Sequence, residues 1–274
     1  MNKITASEVN KLRKHTGAGM MDCKNALVDS NGDFDLAIEI LRKKGQKVAA
    51  KRADRESSEG VAIALSNDEN TSAIGIVLAC ETDFVAKNED FINLATSIAK
   101  IALYCKTKDE LLKSKFGELS VEEKLIEQTG VIGEKIQLND FQRIDAGFVG
   151  VYIHAGNKIS SLVGFNEKFE GDSIAAKDIS MQIAAMNPLA LNEDSIDSET
   201  IEKELDIIKG QLKDEGKPEN MIEKIAEGKM KRFYKDNTLV NQSFIKDSKI
   251  SVSQYLSNYS SNIYITSFGR VSIG

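Results

Sequence analysis

The residues able to do acid–base, metal or nucleophilic chemistry are few or scattered in this chain. His15 and His154 are the only histidines, and neither lies in a His-x-x-x-His spacing. A metal site would need further ligands close to one of them. Cys23, Cys80 and Cys105 are odd in number and lack a Cys-x-x-Cys spacing, which argues against a disulfide framework and a zinc site. Reduced thiols are expected. The 42 acidic residues make carboxylate pairs inevitable, so no pair alone marks a two-carboxylate hydrolase. His154 follows the apolar run Val149 to Ile153, where a strand-end hydrogen bond accounts for it. No bound metal or cofactor is expected, and a protein-binding factor fits better than a conventional enzyme.

Two short segments carry more information. Thr16-Gly17-Ala18-Gly19 precedes Met20 and Met21 as a Gly-rich turn before a helix. A phosphate loop needs a preceding strand and a Gly-Lys-Ser/Thr end, and both are missing. The turn either exposes Met20 and Met21, whose adaptable side chains suit a partner surface, or lets them fill a small core. Thr82-Asp83-Phe84-Val85 follows an apolar run. Thr and Asp favour caps and turns by bonding local amides. Phe84 then either folds back into the core, the ordinary outcome for its type, or is held outward as an anchor. Residue types alone leave both readings open.

Composition narrows the partners. A chain with 41% hydrophobic and 28% charged residues is expected to fold as a soluble globular protein. A net charge of −6 gains nothing from counterion release at phosphates. Trp is absent and aromatics are 6%, which disfavours stacking platforms for bases. No direct nucleic-acid partner is expected. No apolar run approaches the ~18–20 residues that cross a bilayer, so no membrane partner is expected either. The chain is polar from Asn2 without a signal-peptide pattern, which predicts the cytoplasm, with an organelle matrix as the alternative.

These segments must be positioned by an α+β fold. Residues 1–55 read as a three-helix, partner-docking module. Thr5-Ala6-Ser7-Glu8 is a capping box, Asn31-Gly32 is a turn, and Asp33 caps a third helix. That helix is expected to end as a solvated tail or linker over Lys43 to Glu59. From Gly60 the period changes to short β-branched runs, Val61–Leu65 and Ala73–Cys80, read as strands. Asn88 caps a helix whose inner face is expected to carry Phe91, Ile92, Ala95, Ile98, Ala99, Ala102 and Leu103. Residues 56–145 form the N-terminal half of a two-part core on this reading. Residues 146–197 and 234–274 form its C-terminal half. Residues 198–233 form an inserted antiparallel helical hairpin. Ile201, Leu205, Ile208 and Leu212 are spaced as a coiled-coil seam, and Pro218 suits the start of the second helix. The seam can pack within the hairpin or pair with a second copy.

The chain resembles the bacterial elongation factor Ts family along its whole length. The resemblance is carried by Leu12-Arg13-Lys14-His15-Thr16-Gly17-Ala18-Gly19-Met20-Met21-Asp22-Cys23-Lys24, by Asn31-Gly32-Asp33, and by Leu41-Arg42-Lys43-Lys44-Gly45. Thr82-Asp83-Phe84-Val85-Ala86-Lys87-Asn88 and Glu227-Gly228-Lys229-Met230-Lys231-Arg232-Phe233 follow at matching separations. The resemblance implies a guanine-nucleotide exchange factor for elongation factor Tu. It implies a ubiquitin-associated-like N-terminal module, a two-part α+β core and a coiled-coil hairpin. It places Thr82, Asp83, Phe84 and Val85 where the partner's magnesium is displaced, and Leu12, Met20 and Met21 on its GTPase domain. His154 and Gly156 are expected to face another partner domain.

Departures touch the second interface. Ser160 and Ser243 stand where glycine and proline are common, and the C-terminal helix of many members is expected to be absent after Gly274. Two other classes compete: a ubiquitin-like-domain binding adaptor using the helical module alone, and a hydrolytic enzyme with perturbed carboxylates in a polar pocket.

Overall fold

A computed structural model describes residues 4–274; the polar start of the chain at Asn2 and Lys3 lies outside the described residues. Three helices come first: α1 (Ala6–Thr16), α2 (Met20–Asp29) and α3 (Phe34–Lys51). Thr5 and Glu8 form the expected capping box, and Asp33 accepts from Leu36 N at 3.0 Å to open α3. Gly17 closes α1 at φ 71°, a left-handed conformation that costs other residues more. Val9, Leu12, Cys23, Ala26, Leu27 and Ala37 bury together between these helices.

The core is a mixed α+β assembly. Strands β1 (Glu59–Ser66) and β2 (Ser72–Cys80) form an antiparallel hairpin. Helices α4 (Asp83–Ala86), α5 (Glu89–Ala102) and α6 (Lys108–Lys113) follow, then β3 (Lys115–Phe116), β4 (Leu119–Ser120) and α7 (Val121–Ile132). Strand β5 (Gln137–Asp145) returns beside β2, giving the sheet order β1-β2-β5. Next come β6 (Phe148–Ile153), β7 (Ile159–Phe165) and α8 (Asp172–Met186). A helical hairpin, α9 (Ser198–Asp214) and α10 (Glu219–Asn237), interrupts this half. The half is completed by β8 (Ser243–Phe244), β9 (Asp247–Ser251), α11 (Val252–Ser257) and β10 (Ile265–Ser272). The second sheet runs β10-β7-β6, and both three-stranded sheets are antiparallel.

Two-residue periodicity explains how the layers stack. Val61 and Ile63 on β1, with Ile74, Ile76 and Leu78 on β2, face Phe91, Ala95 and Ile98 of α5. The alternate positions Ala64 and Ala73 meet Val149 and Leu162 of the other sheet, while Ala62 and Val77 meet Val271. On the β1–β2 hairpin, mostly small residues therefore face the other sheet and large ones the helix side. Strand β2 is covered on both faces, which is why it reads as an unbroken apolar run. Helix α8 closes the far side through Ala175, Ala176, Ile179 and Ile183. Ser160 is buried between the sheets and donates to Ala62 O at 2.6 Å.

Two features sharpen expectations from sequence. The stretch from Lys43 to Glu59 is a largely exposed helical tail, as expected, but one side of it is covered. Helix α3 continues to Lys51 and packs along α7, where Gly45 is buried. A Cβ added to Gly130 would sit 2.4 Å from Gly45 Cα, so the two backbones cross with no room for side chains. The hairpin seam is filled within the chain: Ile208 and Leu212 bury against Ile222, Ala226 and Met230. Among the described residues no helix is long and apolar enough to cross a membrane.

Candidate functional site

The segment after β2 is a single helical turn rather than an open loop. Thr82 is its N-cap, with φ −125° and ψ 153°, and its hydroxyl accepts from Val85 N at 3.5 Å. Asp83 and Lys87 pair one turn apart at 2.6 Å. The hydrogen bond from Lys87 holds the Asp83 carboxyl below the usual carboxylate range, and Lys158 adds to that field. Ala86 is buried and Val85 packs on the α5 side of the core. Phe84 alone projects, at 84% exposure. The four residues of the segment therefore divide into one presented ring and three that hold it.

The base of the turn is tied to distant residues. Glu134 accepts from Glu81 N at 3.1 Å, Thr82 N at 3.0 Å and Thr82 Oγ1 at 2.7 Å. Glu81 accepts from Lys135 N at 2.7 Å and from Arg52 Nη1 at 2.7 and 2.8 Å. The Lys135 amide first, and Arg52 after it, lower the Glu81 carboxyl below its ordinary value. Cys80, fully buried, donates its thiol to Thr82 O at 3.2 Å. Burial, aided by the Glu134 charge, pushes that thiol up to about 12. Glu134, Glu81 and Arg52 were not singled out in the sequence. They lie 29 to 54 residues from the groups they bond, and no local spacing marks such pairs.

The N-terminal module presents a second apolar feature. Met20 and Met21 are 53% and 62% exposed on the first turn of α2. Leu12 is fully buried, which corrects its expected role as a contact: it faces α2 and α3 and holds the turn from within. A cleft lined by Gly17, Val85, Asn88, Phe91, Val131 and Ile132 brings the module's turn beside the base of the Phe84 turn.

His154 and Gly156 sit in the turn between β6 and β7, both exposed. The Tyr152 hydroxyl lies 3.1 Å from His154 Nδ1. These two residues line a shallow cleft with Met181, Ile245 and Arg270. Ile245 is carried by the β8–β9 turn, which Lys246 fixes to Asp178 at 2.5 Å. Tyr255 also donates to Asp178, at 3.0 Å, and burial pushes its hydroxyl well above its ordinary value. Ile245 was not singled out in the sequence because the β8 region reads as mixed, and Tyr152 because it lies within the strand run before His154. Among the described residues no group of three or more His, Cys, Asp or Glu is placed to hold a metal ion.

A model of the family described as Elongation factor TS matches residues 81–274. The chain belongs to the elongation factor Ts family. It is 60% identical to the Elongation factor Ts of Christiangramia forsetii, with 100% of both chains covered. It is 57% identical to that of Flavobacterium psychrophilum, again over 100% of both, and 38% identical to that of Azobacteroides pseudotrichonymphae over 98% of each. Membership in the elongation factor Ts family thus rests on similarity along the chain, including the module that carries Met20 and Met21.

Proposed function

We propose that this chain is a guanine-nucleotide exchange factor that promotes GDP release from elongation factor Tu during translation elongation. The observation that carries the reading is Phe84, a large apolar ring left in solvent on a turn whose other groups are all anchored. Exchange is linkage rather than bond-breaking chemistry. A factor that binds the nucleotide-free partner more tightly than the nucleotide-bound one weakens nucleotide binding by the same ratio. Phe84 enters beside the partner's nucleotide site and displaces packed elements there. The partner's magnesium then loses the octahedral geometry it demands. Each ~1.4 kcal/mol of differential contact gives about tenfold. One buried aromatic anchor supplies roughly 2–4 kcal/mol, so other contacts must contribute to a large acceleration.

Those contacts come from two further surfaces in this reading. The ubiquitin-associated-like module, residues 1–55, docks through Met20 and Met21. Residues 56–145 carry the Phe84 turn. The second half, 146–197 with 234–274, meets another partner domain through His154, Gly156 and the neighbouring Ile245. The hairpin, 198–233 in this division, is an antiparallel coiled coil. Its seam is occupied within the chain, so any self-association uses outward side chains such as Ile207 and Met221. Stopped-flow release of fluorescent GDP from elongation factor Tu, with and without this protein, tests the function. Acceleration that saturates with protein concentration is expected; no acceleration would favour the adaptor reading instead.

A further inference from the structure

The carboxylate that grips the Phe84 turn comes from an element that does not itself carry an apolar anchor. Helix α7 ends at Gly133, in a left-handed conformation of φ 80°, and the next residue, Glu134, reaches to the start of α4. We propose that Glu134 is a positioning residue for nucleotide exchange, fixing the direction of Phe84 by setting the hydrogen bonds of Thr82. The inference rests on the exchange reading above.

The chemistry follows from counting protons. The Thr82 hydroxyl has one proton, and it points to Glu134 Oε1 at 2.7 Å. Its lone pairs are then free to accept from Val85 N, the cap bond that starts the turn under Phe84. The second oxygen, Oε2, holds the backbone amides of Glu81 and Thr82. Thr82 O accepts the Cys80 thiol and the Ala86 amide. Every polar atom of Thr82 is thus engaged, and three of the bonds that fix this corner end on Glu134.

A carboxylate is acceptor-only, and that property decides the arrangement. A glutamine at 134 fills the same space, and its carbonyl can still hold the two amides. Its NH2 then faces the Thr82 hydroxyl, which must turn to accept. The hydroxyl proton is thereby directed away from 134, and one of the lone pairs available to Val85 N is taken. The cap weakens without any change in volume.

The latch is reciprocal. Glu81 returns a bond to Lys135 N at 2.7 Å and holds Arg52 at the end of α3, while Lys135 Nζ donates to Ala53 O at 2.7 Å and Arg55 O at 3.0 Å. Helix α7 also carries Gly130, the point where α3 of the docking module crosses it. One helix therefore sets both the module and the Phe84 turn.

The experiment is fluorescent GDP release from elongation factor Tu, titrated with full-length protein so that plateau rate and half-saturating concentration separate. Glu134→Gln is expected to lower the plateau about tenfold, the scale of one charge-assisted hydrogen bond. The half-saturating concentration is expected to stay within about twofold, because Met20 and Met21 still dock. Thr82→Val is expected to act like Glu134→Gln, Thr82→Ser to restore most of the lost rate, and the double variant Glu134→Gln/Thr82→Val to be no worse than either single one. Circular dichroism and thermal unfolding confirm that each variant is folded, and Thr82→Val carries the test if Glu134→Gln does not fold. A wild-type plateau in Glu134→Gln, beside a slowed Phe84→Ala, overturns the positioning role alone. Additive losses in the double variant, or a raised half-saturation with an unchanged plateau, overturn it too. An unchanged rate in Phe84→Ala removes the wedge reading, and this inference with it.

Discussion

Two turns at strand ends, one after β2 and one between β6 and β7, solve the same problem in opposite ways. The β6–β7 turn is held by backbone. His154 N donates to Ile159 O at 2.9 Å and Asn157 N donates to His154 O at 2.9 Å. Asn157 O and Lys158 O accept from Ala62 N at 2.6 Å and Ile273 N at 2.9 Å. Its apex shows only small or polar groups, with Gly156 and Asn157 at φ 87° and 56°. The turn after β2 is held by side chains from other elements, chiefly Glu134, and its apex is a bare phenyl ring. Backbone staples suffice for a turn that ends a hairpin. A turn that must keep a large apolar group out of the core needs anchors on every neighbouring residue, and that is what surrounds Phe84.

The comparison can be broken most sharply at Phe84. Phe84→Ala is expected to slow saturating GDP release by at least about tenfold, since it removes a central aromatic anchor. Its unfolding free energy is expected to stay within about 0.5 kcal/mol, because the ring touches little of its own fold. Stopped-flow kinetics and chemical denaturation read the two effects separately. A large loss of stability would show that Phe84 belongs to the core in solution.

Gly130→Ala tests whether the N-terminal helical module and the Phe84 turn share one frame. The added methyl meets the α3 backbone, and a destabilisation of about 1–3 kcal/mol is expected from overpacking. The exchange plateau and the half-saturating concentration should both worsen. Unchanged stability would mean that α3 and α7 do not cross so closely.

The contribution of the backbone-held turn is expected to be smaller. His154→Ala should raise the half-saturating concentration by a few-fold while leaving the plateau near wild type, as for a contact outside the centre of an interface. A plateau lowered as far as in Phe84→Ala would erase the distinction between the two turns.

The effect furthest from exchange at neutral pH is a pH dependence at the root of the Phe84 turn. The Cys80 thiol is raised from 9.0 to about 12 in the fold. Below pH 9 the thiol is protonated in both states and costs the fold nothing. Above it the unfolded chain loses its proton while the folded one keeps it, so this residue's share of stability falls between pH 9 and about 12. Urea denaturation of wild type and Cys80→Ala across that range should show a steeper decline in wild type.

Much of this was legible in the residues. The capping box at Thr5, the Asn31-Gly32 turn, the strands from Val61 and Ala73, and the helix opening at Asn88 all follow from local spacing. The seam of the helical hairpin does too. The exposure of Phe84 did not, because an aromatic after a buried strand ordinarily turns inward and only its distant anchors prevent that. Leu12 was misplaced for the reverse reason: the resemblance put it on a partner surface, but a three-helix module this small must bury it. The docking of α3 on α7 was hidden because Gly45 lies among lysines in the sequence, and a crossing of two glycines leaves no apolar spacing to mark it. Glu134 was hidden because a polar residue after a helix carries no mark of its partner 52 residues earlier.

The central claim is that Phe84 supplies differential binding. The direct measurement is the equilibrium affinity of this protein for elongation factor Tu, nucleotide-free and GDP-bound, in wild type and Phe84→Ala. The account predicts much tighter binding of wild type to the nucleotide-free form, and a ratio that shrinks by about tenfold or more in Phe84→Ala. An equal ratio in both proteins would contradict it.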